Sequence, residues 1–457
     1  MWQDEAFTYD MAHRTLPDLW ATLGGADAVH GLYYLLMHGV FRLWDGGLVA
    51  LRLPSVLAMA GAAAGVAALG RRLAGPRAGL AAGLVFALLP AVQRYAQEGR
   101  SYALVTALVV AGTWTLVRAC GSRRRLWWIC YFALALLSCL LHEFAVLAPA
   151  AHGVALLAAR APRAVLVCWA TAVCATAAAV APLVLLSLGQ SGQVAWIEVS
   201  PGGDVLGFAL IAGVGVLCAA MHRRSGSGGG APPRGLPGGR RPPAGTPATL
   251  ALPLLLVPPA ALLLASLVKP LYVDRYVLYA QAGLALLVGA ALDALWRSGR
   301  ARPAVALATA AAVLAAVGPV GTQLRGPQSR TDDVGAIAEA VREAALPGDG
   351  VLFLPAGRRV WTFGHEPATY GAVDLALAEP RQRAHTLLDT EVPAAVIPGR
   401  VLHVSRVVVV REPDRERHEA SARDEAKKAA LREHFTRCAR SSVGTARIEV
   451  YEHGDHC

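Results

Sequence analysis

Residues 79–119 read GLAAGLVFALLPAVQRYAQEGRSYALVTALVVAGTWTLVRA and predict two membrane-spanning helices joined by a short polar turn. Each apolar part approaches the roughly 20 residues that a helix needs to cross the hydrocarbon. The apolar residues do not alternate with a period of two, so helices are predicted rather than strands. The whole chain agrees, because 55% of its residues are hydrophobic and only 16% are charged. A typical soluble protein has about 25% charged residues, which argues against an ordinary cytosolic enzyme.

The same pattern continues on both sides of this stretch. The predicted spans are 53–70, 79–96, 102–119, 126–142, 143–159, 164–188, 205–221, 248–268, 276–296 and 302–322. The expected fold class is therefore mainly α: a polytopic membrane helix bundle of about ten spans.

The basic residues predict the orientation of this bundle. Seventeen arginines fall in one set of connections, whereas the alternate set holds only Arg94, Arg100, Lys269 and Arg275. The positive-inside rule assigns the first set to the cytoplasm. Ten spans then place both ends of the chain outside, in a multi-pass protein of the cell membrane with an extracytoplasmic active face. The net charge of +11 is nearly all arginine, a bias typical of GC-rich coding sequences, and we predict no nucleic-acid partner.

Composition divides the chain into three parts. Residues 1–52 mix aromatic residues, histidines and acids, and we expect an external loop with interfacial helices. Residues 53–322 form the bundle, with a Gly- and Pro-rich flexible cytoplasmic linker over 222–247. Residues 323–457 are more charged and predict a small external α/β domain. Its strand-like runs are 351–354, 407–410 and 448–451, and a helix starts near Asp332 and Asp333.

The eight cysteines contain no C-x-x-C pair, so neither a zinc site nor a dense disulfide framework is indicated. Cys438 and Cys457 are the two in the C-terminal domain, and they bracket the run 448–451. Since the predicted topology puts this domain on the oxidising side, we predict a disulfide between them, with two free thiols as the alternative. His453, His456 and Cys457 match no standard metal-site spacing.

The first residues, Met1-Trp2-Gln3-Asp4-Glu5, contain no export signal. An external loop needs a segment that exports it. We therefore expect a further apolar helix to be encoded ahead of Met1, with export through the next hairpin as the alternative.

Polar residues gather at the predicted external ends of the helices. They are Asp4, Glu5, Gln97, Glu98, Arg100, Tyr102, His142, Glu143, Trp196, Glu198, Asp274, Arg275 and Tyr276. Ionisable groups near membrane spans often mark a functional site. The alternative is that each is a solvated helix cap.

Four motifs in order resemble a known superfamily. They are Trp2-Gln3-Asp4-Glu5, His30-Gly31-Leu32-Tyr33-Tyr34, Arg52-Leu53-Pro54-Ser55 and Gln97-Glu98-Gly99-Arg100-Ser101-Tyr102. They resemble the W-x-D-E, H-P-P-L-Y-Y, R-L-P-S and Q-E-x-R-x-Y patterns of polytopic lipid-linked-sugar glycosyltransferases. This is the protein-mannosyltransferase and aminoarabinose-transferase superfamily, of GT-C type and glycosyltransferase family 39-like. The Arg- and Ala-rich composition of the chain resembles that of actinobacterial mannosyltransferase-like members. The resemblance is strong over 1–160 and weaker over 161–322, and Gly31 replaces a common proline.

This resemblance implies a reaction. A mannose-like sugar on a polyprenyl phosphate would move, with inversion, to a hydroxyl of a protein, glycolipid or polysaccharide acceptor. Asp4 matches the family's first-loop acid and would be the general base. Glu5 would orient it or hold the acceptor, and the two roles could be exchanged. The alternative is that both acids only favour a helix N-terminus.

The departing lipid phosphate needs positive charge beside it, and Arg100 and Arg275 are the candidates. A divalent ion held by Asp4 and Glu98 is the alternative, and no other cofactor is predicted. The remaining candidates for substrate binding are His30, Tyr33, Tyr34, Gln97, Tyr102, His142 and Tyr276. The competing interpretation for these residues is an interfacial belt of aromatic and snorkelling side chains.

A transporter or lipid carrier without catalysis is the second hypothesis. Transporters place charges near the bilayer midplane and often contain repeated halves. The predicted spans carry few charges and show no repeat, which favours the enzyme.

Overall fold

The computed structural model of the protein describes most of the chain. The described residues are 1–122, 124–190, 201–226, 246–297, 299, 304, 307, 308, 311, 314, 318, 321–324, 326, 329, 332–413, 421–454 and 457. They form two compact units. The first unit contains Met1–Ala26, Tyr34–Leu51 and Gln323–Cys457, and the second contains Asp27–Tyr33 and Arg52–Thr322.

The described residues up to 297 are mainly helical. The α-helices are α1 (Gln3–His13), α2 (Leu16–Gly25), α3 (Gly31–Leu43), α4 (Gly47–Ala74), α5 (Pro76–Leu88), α6 (Pro90–Ala96), α7 (Tyr102–Cys120), α8 (Leu126–Leu141), α9 (Leu147–Ala158), α10 (Arg163–Gly189), α11 (Pro201–Gly226), α12 (Pro247–Ala265) and α13 (Gln281–Arg297). In this described part, short 3-10 helices lie at Ala28–His30, Glu143–Val146 and Asp274–Ala280.

Among the described residues, six helices are long and apolar enough to cross a membrane, and the bent pair α5–α6 makes a seventh. Leu126–Leu141 and Glu143–Ala158 are shorter apolar helices. Every predicted span between residues 53 and 296 therefore falls on a helix, and the predicted fold class is confirmed. The tenth predicted span, 302–322, and the predicted linker, 222–247, lie largely outside the described residues.

One helix begins earlier than expected. α4 starts at Gly47 rather than at residue 53, because Pro54 is accommodated inside it. The apolar residues just before this proline continue the helical turn. Proline is tolerated inside membrane helices, where neighbouring groups satisfy the freed backbone.

Glycine allows close approach between helices of the second unit. A Cβ added at Gly289 of α13 would lie 2.6 Å from the Ala78 carbonyl oxygen and 2.6 Å from the Ala82 nitrogen, both on α5. Small residues of this kind let membrane helices pack backbone to backbone. The close contact between α5 and α13 therefore requires a glycine, which has no Cβ, at position 289.

The C-terminal part of the first unit contains the predicted α/β fold. Its strands are β1 (Gly350–Leu354), β2 (Val373–Asp374), β3 (Leu377–Glu379), β4 (Thr390–Glu391), β5 (Arg406–Arg411), β6 (Phe435–Val443) and β7 (Ala446–His453). Its helices are α14 (Val334–Ala344), α15 (Arg381–Ala384), α16 (Ile397–Val401) and α17 (Ala422–His434), with 3-10 helices Ala356–Thr362, Pro367–Tyr370 and Ala394–Val396. The main sheet has the order β2-β1-β5-β7-β6, and β3 pairs with β4 separately. β1 runs parallel to β2 and β5, whereas β7 is antiparallel to β5 and β6.

The sequence signals for this domain are confirmed. The three strand-like runs lie in β1, β5 and β7. The carboxylate of Asp333 caps α14 by accepting a hydrogen bond from the Gly335 backbone N–H at 3.1 Å. Cys438 and Cys457 form the predicted disulfide, with their Cα atoms 5.3 Å apart.

Candidate active site

The two predicted catalytic acids lie in the first turn of α1, in the first unit. The Glu5 carboxylate is fully buried and accepts a hydrogen bond from the Trp2 backbone N–H at 3.3 Å. This is how an acid at the third helical position caps a helix. Asp4 is only partly buried. Asp4 is therefore the more accessible acid, and Glu5 stabilises the turn that carries it.

Four predicted binding residues of the second unit, His30, Arg100, His142 and Arg275, come together in what we call the cationic cluster. The ring centroids of His30 and His142 lie 6.0 Å apart. The charges of Arg100 and Arg275 act on both imidazoles. His30, Arg100 and His142 are all buried. The chain thus gathers four nitrogen-bearing side chains from distant segments in one buried place.

Two tyrosine rings flank this cluster. The His142 ring centroid lies 4.6 Å from that of Tyr276 and 5.5 Å from that of Tyr102. The guanidinium carbon of Arg275 lies 5.6 Å from the Tyr102 ring centre and 5.9 Å from the Tyr276 ring centre. Aromatic faces attract cations at these distances. The tyrosines therefore hold Arg275 beside His142.

The turn that carries Arg100 is fixed by α4. The Ser55 hydroxyl donates to the Glu98 carbonyl oxygen at 2.6 Å and is 3.3 Å from the Arg100 carbonyl oxygen. Glu98 is itself buried. The Gln97 side-chain amide donates to the Gln93 carbonyl at 3.0 Å and closes the end of α6. Ser55 belongs to the Arg52-Leu53-Pro54-Ser55 motif, but the motif alone does not predict this role.

A second residue without a predicted role fixes Arg275. The Asp274 carboxylate accepts hydrogen bonds from the Tyr95 hydroxyl at 2.9 Å and from the Arg275 backbone N–H at 2.8 Å. The segment that carries Arg275 is thereby attached to α6. The sequence places Asp274 at a predicted external helix end beside Arg275, without indicating this contact.

Burial and nearby charge keep both histidines neutral. Burial lowers the pKa of His30 well below its ordinary value, and the charges of Arg100 and Arg275 lower it further. Burial also lowers the pKa of His142, together with His30 and the two arginines. The positive charge of the cluster near neutral pH therefore comes from the guanidiniums, and an anion bound here would relieve their repulsion.

The His142 ring brings a buried nitrogen to the cluster. His142 Nδ1 has no hydrogen-bond partner among the described residues, and the side chain is 5% exposed. Buried polar atoms in folded proteins are nearly always paired. This nitrogen is available to a bound ligand, which fits a binding site better than a structural histidine.

The other predicted site residues are divided between the two units. Tyr34 is fully buried in the first unit, and Tyr33 is buried in the second. Asp4 and Glu98, the predicted metal pair, belong to different units. The described residues contain no group of three or more His, Cys, Asp or Glu side chains arranged to hold a metal ion. Trp196 and Glu198 lie outside the described residues.

Comparison with known proteins agrees with the sequence motifs. Residues 32–186 match the family described as dolichyl-phosphate-mannose-protein mannosyltransferase. The crystal structure of ArnT from Cupriavidus metallidurans in the apo state superposes with a TM-score of 0.56 at 14% identity, covering 92% of this chain and 87% of ArnT. The structure of the same protein bound to undecaprenyl phosphate gives a TM-score of 0.50 at 15% identity, with the same coverage. No curated protein sequence matches the chain.

The chain has the GT-C fold of ArnT. The predicted resemblance to this superfamily is thereby confirmed. The family match covers Arg100 and His142, stops before Arg275 and begins after Asp4. The family match therefore gives no support for the roles of Asp4 and Arg275, which rest on the contacts of these residues in the structure.

Proposed function

We propose that this chain is a membrane glycosyltransferase that moves a sugar from a polyprenyl-phosphate donor to an acceptor hydroxyl. The observation that carries the proposal is the cationic cluster. The donor is a phosphodiester with one negative charge, and its phosphate gains a second charge as the sugar leaves. Guanidinium groups held beside that phosphate stabilise the transition state more than the bound donor, which is what catalysis requires.

The proposed reaction needs a base for the acceptor hydroxyl and positive charge for the departing phosphate. Asp4 accepts the proton of the acceptor hydroxyl while its oxygen attacks the anomeric carbon. The bond from that carbon to the phosphate oxygen breaks, and its electron pair stays with the phosphate beside Arg100 and Arg275. Attack opposite the leaving group inverts the anomeric carbon. Glu5 holds the turn of α1 in this proposal, because its carboxylate already accepts the Trp2 N–H.

The related fold supports a lipid-linked donor. ArnT of the same fold was crystallised with undecaprenyl phosphate, a polyprenyl phosphate. The matching family acts, by its description, with dolichyl-phosphate mannose, and a mannose-like sugar remains our proposal for this chain. The distribution of arginines favours an extracytoplasmic active face in the cell membrane.

The position of the charges favours an enzyme over a transporter. Arg100 precedes α7, His142 follows α8, and Arg275 lies in the 3-10 helix before α13. They thus lie at helix boundaries, whereas transporters place coupling charges near the middle of broken spans.

The experiment is a binding measurement on the full-length protein in lipid nanodiscs. Undecaprenyl phosphate is compared with undecaprenol, the same chain without the phosphate. Arg100→Gln and Arg275→Gln are each expected to weaken binding of the phosphate about 10- to 100-fold, since a charge-assisted hydrogen bond contributes about 1.5–3 kcal/mol.

Arg94→Gln is the matched control, because Arg94 lies in the same polar stretch but is exposed. It should leave binding nearly unchanged. Equal affinity of the wild-type protein for undecaprenol and undecaprenyl phosphate would contradict the proposal.

A further inference from the structure

The first turn of α1 is attached to the C-terminal domain by residues more than three hundred positions away in the chain. The Asp332 carboxylate accepts a hydrogen bond from the Gln3 backbone N–H at 3.3 Å. The Arg358 guanidinium donates to the Gln3 side-chain oxygen at 3.0 Å. We call Gln3, Asp332 and Arg358 the α1 anchor. Asp4 is the next residue along the chain, so the anchor acts directly on the backbone that carries it.

The sheet holds the anchor in place. Arg358 follows β1 and Glu412 follows β5, and these strands are adjacent and parallel. Their carboxyl ends meet at one edge, where Arg358 and Glu412 form an ion pair. The guanidinium carbon also lies 4.9 Å from the Trp361 ring centre. The ion pair with Glu412 and the contact with Trp361 therefore both orient the Arg358 guanidinium that donates to Gln3.

The rest of α1 is packed just as firmly on this domain. Ala6 is fully buried in the core cluster that contains Phe353 of β1. Phe7 packs edge to face against Phe363, with ring centroids 5.7 Å apart. Near the end of the helix, the Arg381 Nε donates to the Asp10 carboxylate at 2.8 Å.

Charge agrees with this geometry. Burial raises the pKa of the Asp332 carboxyl, its hydrogen bond from Gln3 lowers it, and the negative charge of Asp4 raises it again. The negative charge of Asp4 therefore acts on the Asp332 carboxyl.

We infer that Asp332 and Arg358 are positioning residues that set the location of the general base Asp4. This inference rests on the proposed function, in which Asp4 takes the acceptor's proton. The C-terminal domain then takes part in catalysis through its contacts with α1. A displacement of about 1 Å of a catalytic group can cost about 100-fold in rate, which sets the scale of the expected effect.

The test is a set of variants of the full-length protein in nanodiscs, assayed with a polyprenyl-phosphate sugar and an acceptor. Gln3→Ala removes the contact on the helix and leaves the Arg358–Glu412 pair intact. Gln3→Glu keeps an oxygen acceptor for Arg358. Asp332→Ala removes the acceptor of the Gln3 N–H, whereas Asp332→Asn retains one.

Arg406→Ala is the matched control for Arg358→Ala. The side chains of Arg406 and Arg358 are 22% and 20% exposed, and each pairs with a buried acid.

Gln3→Ala, Asp332→Ala and Arg358→Ala should lower kcat about 10- to 100-fold with the donor Kd unchanged. Gln3→Glu, Asp332→Asn and Arg406→Ala should keep kcat within about threefold of the wild type. Suppose that Asp4→Asn inactivates the protein, but the folded Gln3→Ala and Asp332→Ala variants keep the wild-type kcat. This result would overturn the positioning role and leave the proposed function standing. A wild-type protein that transfers no sugar from any polyprenyl-phosphate donor would instead overturn the proposed function.

Discussion

The Ser55 hydroxyl on α4 donates a hydrogen bond to the Glu98 carbonyl oxygen at a distance of 2.6 Å, inside the second unit. Both residues are buried, and the hydroxyl also lies 3.3 Å from the Arg100 carbonyl oxygen. One small side chain therefore fixes the turn from which Arg100 enters the cationic cluster.

Replacing Ser55 with alanine is expected to weaken the use of the donor. Two buried carbonyl oxygens would lose their donor, and the turn carrying Arg100 would relax. A buried hydrogen bond contributes about 1 kcal/mol, so kcat/KM for the donor should fall about fivefold or more. Ser138→Ala is the control, because that buried hydroxyl bonds only within its own helix, to the Ala135 carbonyl. Equal kcat/KM for the two variants would contradict the role of Ser55.

The stability of the protein is expected to fall as the pH drops below about 6.5, the ordinary pKa of histidine. The pKa of His30 and of His142 is lowered well below that value in the folded protein. The unfolded chain therefore binds protons that the folded chain does not, and the free energy of unfolding decreases with falling pH. The double variant His30→Gln, His142→Asn should show a flatter dependence of Tm on pH between 5 and 7.5.

His403→Asn is the control for this prediction, since His403 is exposed in the first unit. It should keep the wild-type slope. The same slope in the double variant would show that the two histidines do not cause the acid sensitivity.

Gly289→Ala is expected to destabilise the second unit. The new Cβ would meet the backbone of α5 at 2.6 Å, so the two helices must separate. Overpacking of this kind costs about 1–3 kcal/mol and should lower Tm by several degrees. Gly61→Ala is the control, since a Cβ there meets no atom within 4 Å. A Gly289→Ala protein as stable as Gly61→Ala would contradict the close contact.

Cys438→Ser is expected to loosen the C-terminal hairpin. The disulfide joins cysteines 19 positions apart, and closing a loop of that size contributes about 3 kcal/mol in the chain-entropy model. Faster hydrogen exchange in β6 and β7 should follow, with little change in α14. Two free thiols in wild-type protein that is alkylated without reduction would contradict the bond.

Hydropathy predicted the helices because a membrane requires each span to satisfy its own backbone over a fixed length. The α/β domain could be predicted for a similar local reason, since runs such as 407–410 are strongly β-forming. The disulfide followed from Cys438 and Cys457 being the two cysteines of that domain.

Long-range contacts could not be predicted in this way. No local pattern links Gln3 to Asp332 and Arg358, because the contact depends on how β1 and β5 bring their ends together. Tyr33 and Tyr34 show the same limit: they are adjacent in one motif, yet they belong to different units. The motif alone does not predict that the two tyrosines belong to different units.

The most direct test of the central claim is sugar transfer by the full-length protein in nanodiscs. Polyprenyl-phosphate donors carrying different radiolabelled sugars are supplied with candidate acceptors, and both labelled acceptor and released polyprenyl phosphate are measured. Asp4→Asn is compared with Asp45→Asn, an exposed acid of the same N-terminal segment. We predict transfer with inversion by the wild type and by Asp45→Asn, and a kcat about 10²- to 10⁴-fold lower for Asp4→Asn. Transfer at the wild-type rate by a folded Asp4→Asn protein, or no transfer by the wild type from any donor, would contradict the account.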